Sequence, residues 1–168
     1  MSTHQERDLI SRFPITERPS DREVIFSRLL DAPQELVWNV WTDLRHLHHW
    51  FGPAGFTTTT HEFAFVPGGE WRFIMHGPNG VDYPNRVVFR EIVPPTRLVY
   101  ENGWALPDAP LDFKVVVTLS PYEAQTKLSI RMTYADAEAF KVAVERYGVL
   151  EGGTQTLERL SKYVESIE

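Results

Sequence analysis

Apolar positions follow two rhythms along this chain. From Arg22 to about Tyr134 they recur mainly at every second residue, the period of a strand with one buried face. After Pro33 and again after Asp136 they recur every third or fourth residue, the period of a helix. "REVIFSRLL" (22–30) is rich in β-branched and apolar residues and predicts the first strand. Asp31 to Pro33 end it, and Pro33 suits a helix start, where its missing N–H costs nothing. Leu36, Val37, Val40 and Trp41 then take helical spacing. Thr42-Asp43 looks like a fresh cap, so a second short helix is expected over 44–50.

Beyond Gly52-Pro53 the strand rhythm returns. "FTTTTHEFAF" is β-prone, and Pro67-Gly68-Gly69 marks a turn. In "EWRFIMH", Trp71, Phe73 and Met75 alternate with Arg72, Ile74 and His76. "GPNG" (77–80) reads as a hairpin turn, "RVVFREIV" and "TRLVYEN" as strands separated by Pro94-Pro95. "GWALPDAP" (103–110) reads as a loop carrying Trp104. The last two strands place Phe113, Val115, Val117 and Leu119 on one face, and Leu128, Ile130 and Met132 on one face. From Asp136, a capping residue, an amphipathic stripe runs through Phe140, Val144, Tyr147, Leu150, Leu157, Leu160, Val164 and Ile167. Gly148 and Gly152-Gly153 interrupt it, which predicts a kink, a restart or a close approach of another element.

This order predicts an α+β helix-grip fold. A curved antiparallel sheet of about six to seven strands wraps a long C-terminal helix over 136–167, with two short helices after the first strand. Residues 1–21 mix charges with Pro14 and Pro19 and read as a flexible arm; 22–168 form a single domain. A cavity has room to form between sheet and helix. The composition fits one, since 5 Trp and 10 Phe in 168 residues need a large core or a cavity to line.

Charge and residue types then remove several classes. The net charge is −6 and no Lys/Arg run occurs, so nucleic acid is not expected as a partner. With no cysteine, disulfides, thiol catalysis and Cys-ligated metals are out. No apolar run approaches the roughly 18 residues of a membrane span, and the polar start shows no secretory pattern, so a cytoplasmic protein is expected.

Several stretches in combination resemble a known family. "VWNVWTDLRHLHHWFGPAGFT", "PGGEWRFIMHGPNGVDYPNRVVFREIVPPTRLVYE" and "GVLEGGTQTLERLSKYVE" are similar to the bacterial single-domain members of the SRPBCC superfamily named after the activator of heat-shock protein 90 ATPase. START lipid-transfer domains and the major birch-pollen allergen belong to the same superfamily. The resemblance covers about 22–166. It departs at Ala64, where family members often carry an acid, at Phe51, commonly Trp, and in the longer N-terminal arm. The resemblance implies the helix-grip fold and an internal cavity for an apolar or amphipathic small molecule. It also names two other readings: a cyclase- or hydrolase-like enzyme using that cavity, and a co-chaperone-like partner of a heat-shock protein 90 homologue.

Candidate residues follow from the pattern and the resemblance together. The cavity wall is expected from Trp50, Phe51, Phe56, Trp71, Phe73, Met75, Tyr83, Phe89, Trp104, Phe113 and Tyr147, with Gly152 and Gln155 on the helix. Polar anchors come from Arg72, Tyr83, Arg86, Glu91, Arg131 and Gln155, most of which are as well explained by surface ion pairs. Catalysis would need His76, Tyr83 and Glu91 to converge, and no nucleophile, metalloprotease or phosphate-loop motif is present. His46 and His49 share a helix face while His48 points elsewhere; two imidazoles fall short of a zinc set, and Asp43 and His61 lack metal-ligand spacing. The expectation is a packing helix with Leu47 and Trp50 inward, no metal and no cofactor. The 50–56 and 103–110 segments are expected to gate the cavity, and an exposed sheet edge would allow a homodimer.

Overall fold

The computed structural model describes residues 14–167. Eight strands form one antiparallel sheet in the order β1-β2-β8-β7-β6-β5-β4-β3. They are β1 (Ile15–Ser20), β2 (Glu23–Leu30), β3 (Thr57–Phe63), β4 (Glu70–His76), β5 (Asp82–Val93), β6 (Arg97–Trp104), β7 (Leu111–Tyr122) and β8 (Gln125–Tyr134). Two short helices, α1 (Gln34–Thr42) and α2 (Leu44–Trp50), follow β2. The chain ends in α3 (Ala137–Tyr147) and α4 (Val149–Ile167). The sheet is open and curved, and the helices fill its concave side.

The helix-grip expectation holds, with three differences. The sheet has an eighth strand, because residues 15–20 pair with β2 instead of forming a loose arm. That strand is exposed along its middle and carries Glu17, Arg18 and Pro19, so its apolar alternation is too weak to announce it. Residues 1–13 of the expected arm lie outside the described residues. The C-terminal helix is two helices, since Gly148 takes φ 61°, ψ 40° and ends α3, with its N–H bonded to the Ala143 carbonyl. A residue with a Cβ would pay roughly 1–2 kcal/mol for that left-handed conformation. Trp104 is the last residue of β6 and not part of a loop.

Alternation decides the two faces of the sheet. On β2, Val24, Phe26, Arg28 and Leu30 are buried while the residues between them are half-exposed. Val115, Val117 and Leu119 of β7 and Leu128 and Ile130 of β8 join that concave face. Against it lie Phe140 and Ala143 of α3, and Leu157, Leu160 and Val164 of α4. α1 docks through Val37, Trp38, Val40 and Trp41, and the Gln34 side chain ties its start to the carbonyls of Pro95 and Leu119.

Both expected caps form. Asp43 accepts the Arg45 N–H at the start of α2, and its carboxyl is pulled down to about 2, chiefly by the Arg45 side chain. Asp136 accepts the Ala139 N–H at 2.8 Å at the start of α3. Asp136→Ala should therefore cost about 1 kcal/mol, read as a lower midpoint in urea with an unchanged slope.

Candidate functional site

The concave face is not filled along its whole length. A cavity of about 600 Å³ lies between the sheet, α3, the first turns of α4 and the 51–56 segment. Phe26 and Trp41 form one wall; Phe51, Gly52, Pro53 and Phe56 form another. The sheet contributes Met75, Tyr83 and Asn85, then Tyr100, Asn102 and Trp104, then Phe113, Val115, Ile130, Met132 and Tyr134. The roof is Ala139, Val142, Ala143, Arg146 and Tyr147 of α3, and Val149, Gly152, Gly153 and Thr156 of α4. Val142 and Tyr147 line the cavity yet are 38% and 47% exposed, so its mouth opens beside α3.

Two glycines shape the roof. A Cβ on Gly153 would stand inside contact distance of the Phe26 ring, so only glycine lets α4 approach β2 this closely. A Cβ on Gly152 would reach Pro53 at 3.3 Å, where helix and loop meet over the cavity. The 51–56 segment is tied down from α4. Arg159 donates to the carbonyls of Gly52 and Pro53 at 2.9 and 3.0 Å, and Gln155 accepts the Ala54 N–H at 3.2 Å.

The polar groups of the wall are few. Asn102 donates to Asn85 at 3.1 Å, and Asn85 donates to the Tyr83 carbonyl at 2.9 Å. Asp112 lines the cavity beside Phe113. Its carboxyl pKa is raised by burial, with no hydrogen bond acting on it from the described residues. Tyr134 is raised too, by burial first and then by the nearby Asp112 charge. Burial also raises Tyr100.

The protein-family comparison decides the relationship. Residues 31–165 match the family described as activator of Hsp90 ATPase homolog 1-like protein. The chain belongs to this family. Solved structures similar to this member agree in fold. A solution structure from Arthrobacter aurescens is 24% identical, covers 90% of this chain and 91% of its own, and superposes with a TM-score of 0.83. A crystal structure from Mycobacterium smegmatis is 22% identical over 92% of this chain and 98% of its own, with a TM-score of 0.82. The AHSA1 protein of Silicibacter pomeroyi is 20% identical over 87% of this chain and 99% of its own, at 0.73. No curated protein matches.

Within this family member the expected wall residues divide. Phe51, Phe56, Met75, Tyr83, Trp104, Phe113, Tyr147 and Gly152 line the cavity. Trp50, Trp71, Phe73 and Phe89 do not. They are buried beyond its end, where Trp71 and Phe73 stack at 3.9 Å and Phe51 packs on both. Gln155 holds the loop instead of facing the cavity. Phe26, Trp41, Tyr100, Asp112 and Tyr134 line it without having been singled out by sequence.

The remaining polar candidates are elsewhere. Arg72 and Arg86 pair with Glu70, Arg131 with Glu23, and Glu91 with Arg97. His76, Tyr83 and Glu91 do not converge: His76 lies between Asp82 and Thr59, at 2.7 and 2.8 Å, on the face opposite Met75. The three histidines of α2 also have protein partners. His46 meets the Tyr163 hydroxyl at 2.6 Å, His49 stacks on the Tyr163 ring, and His48 meets Thr60. No group of three metal-ligating side chains occurs among the described residues. No helix among them is long and apolar enough to cross a membrane.

Proposed function

We propose that this protein binds a small apolar or amphipathic molecule in its internal cavity, as a carrier or sensor. The observation that carries the reading is the cavity itself: about 600 Å³, walled largely by aromatic and aliphatic side chains, and open beside α3. Small-molecule sites typically enclose about 300–1,000 Å³ and are mostly apolar with a few polar anchors. Binding would draw on burial of ligand surface at about 25 cal/mol per Å². Access would involve the 51–56 segment, held by Arg159 and Gln155.

The test combines recovery and blockade. Native mass spectrometry of protein purified from its own host, followed by denaturing release, should yield one stoichiometric apolar species. Gly152→Leu places a side chain at the roof against Pro53 and should weaken binding of an apolar fluorescent dye by about tenfold or more, measured on protein shown by its cooperative thermal transition to be folded. Dye binding equal to that of the parent protein would sink the reading.

One observation favours a second reading, an enzyme. Asp112 is a titratable group facing the cavity with a raised pKa, the environment of many acid–base residues. General acid–base catalysis also needs a positioned partner. No described residue makes a hydrogen bond to the Asp112 carboxyl, and the His76 cluster sits on the other face of the sheet. Recovery of a chemically altered ligand after incubation would favour the enzyme; recovery unchanged favours the carrier.

A further inference from the structure

We propose that the cavity selects a ligand carrying a positively charged nitrogen, an amine or quaternary ammonium head on an apolar body. Asp112 would supply the countercharge, and the rings of Tyr83, Trp104 and Tyr147 the surrounding π-faces. This inference rests on the reading of the cavity as a small-molecule site.

Asp112 reaches the cavity through a break in the strand register. Strict alternation with Phe113 and Val115, which face inward, would turn residue 112 outward. The β6–β7 register breaks here: Asn102 pairs with Phe113, but the next residue, Gly103, pairs with Leu111. Asp112 is the extra residue of a β-bulge, a device that re-aims a side chain. Asp112 and Phe113 consequently both line the cavity. A half-buried carboxylate with no ion pair or hydrogen bond is costly to keep, and here no described residue relieves that cost.

Aromatic rings line the same cavity. The Asp112 backbone lies beside the end of β6, since a Cβ on Gly103 would meet the Asp112 nitrogen at 3.3 Å. At that end Trp104 stacks with Tyr83 at 6.3 Å and meets Tyr147 at 5.7 Å. Ring faces attract cations, and most strongly where water is excluded. The only cationic side chain among the lining residues, Arg146, is exposed at the mouth and lies over the Tyr147 ring at 5.6 Å. A half-buried acid on the wall and a solvated base at the mouth favour a cation within. An anionic head would face Asp112 without a buried countercharge.

The test uses three probes with one chain and different heads: decyltrimethylammonium, decanol and decanoate, titrated calorimetrically below their micelle concentrations. The ammonium probe should bind at least about tenfold tighter than decanol, and decanoate weakest. Asp112→Asn should abolish that preference while decanol binding persists, and Asp112→Glu should retain part of it. The affinity for decyltrimethylammonium, whose own charge is fixed, should fall as pH drops through the raised Asp112 pKa. The other ionisable groups facing the cavity are Tyr83, Tyr100, Tyr134, Arg146 and Tyr147. Tyrosine and arginine lose protons only in the alkaline range, so an acid-side change reports Asp112. Decanol or decanoate binding as tightly as the ammonium probe would overturn this inference and leave the cavity reading standing. If none of the three bound, both would fall.

Discussion

Trp50→Ala is expected to lower folding stability by about 3–5 kcal/mol, the range for removing a large aromatic side chain from a core. Trp50 is fully buried at the end of α2. Its indole N–H donates to the Val40 carbonyl in α1 at 3.0 Å, so one side chain joins two helices. Its ring meets Trp41 edge-on at 4.7 Å and Phe51 at 5.6 Å. Alanine would leave a void that these rings cannot all collapse into, and would leave the Val40 carbonyl without this donor. At about 2–4 °C per kcal/mol for a chain of this size, the melting temperature should drop by about 10 °C. Trp50→Phe keeps one ring but loses the hydrogen bond and part of the indole volume, so its loss should fall between zero and that of alanine. Trp41 and Phe51 both line the cavity, so dye affinity should fall with Trp50→Ala even though Trp50 does not touch the cavity. A loss of under about 1 kcal/mol would mean that the void is repacked and that this account of the α1–α2 corner is wrong.

Glu158→Ala should cost about 3 kcal/mol, the lower end of the range for breaking a buried ion pair. Arg28 sits among the apolar residues of the concave face, between Phe26 and Leu30, and is only 8% exposed. Its guanidinium reaches Glu158 on α4, while its Nε has no partner among the described residues. Removing Glu158 leaves the Arg28 charge buried alone. Glu158 is 41% exposed, which admits some water and places the cost at the low end. Arg28→Met should be far milder, because replacing a buried charge by an apolar side chain of similar volume removes the desolvation cost along with the attraction. Urea unfolding of both single variants and the double variant reads the coupling directly. Similar losses for the two single variants would show that Arg28 contributes by its charge and not by its stem.

Much of the fold was legible because its elements follow simple periods. The alternation in "EWRFIMH" placed Trp71, Phe73 and Met75 inward, and all three are on the concave side. Asp43 and Asp136 were legible as caps because a short acceptor before a helical stripe has an orphan N–H to satisfy. Strand β1 was not legible, because an edge strand with one pairing partner needs no apolar alternation. The candidate site was legible by face and not by position. Trp71 and Met75 share a strand face, yet Trp71 lies under the packed Phe51 and Phe73 rings while Met75 lies where nothing fills the space. Phe26 and Tyr134 looked like ordinary core, and only the roof of α3 and α4 makes them a wall.

The sequence alone determined the inward faces of the regular strands, the caps of α2 and α3, and that an antiparallel sheet must wrap a C-terminal helical segment. Those follow from local stereochemistry and the hydrophobic effect, which act residue by residue. The glycines announced an interruption, and the tertiary structure decided its form: the helix restarts after Gly148, Gly153 admits the Phe26 ring, and the space beside them stays open. It also decided that a bulge turns Asp112 into that space. Such features depend on how distant elements meet, and a one-residue slip in strand pairing reverses which way a side chain faces.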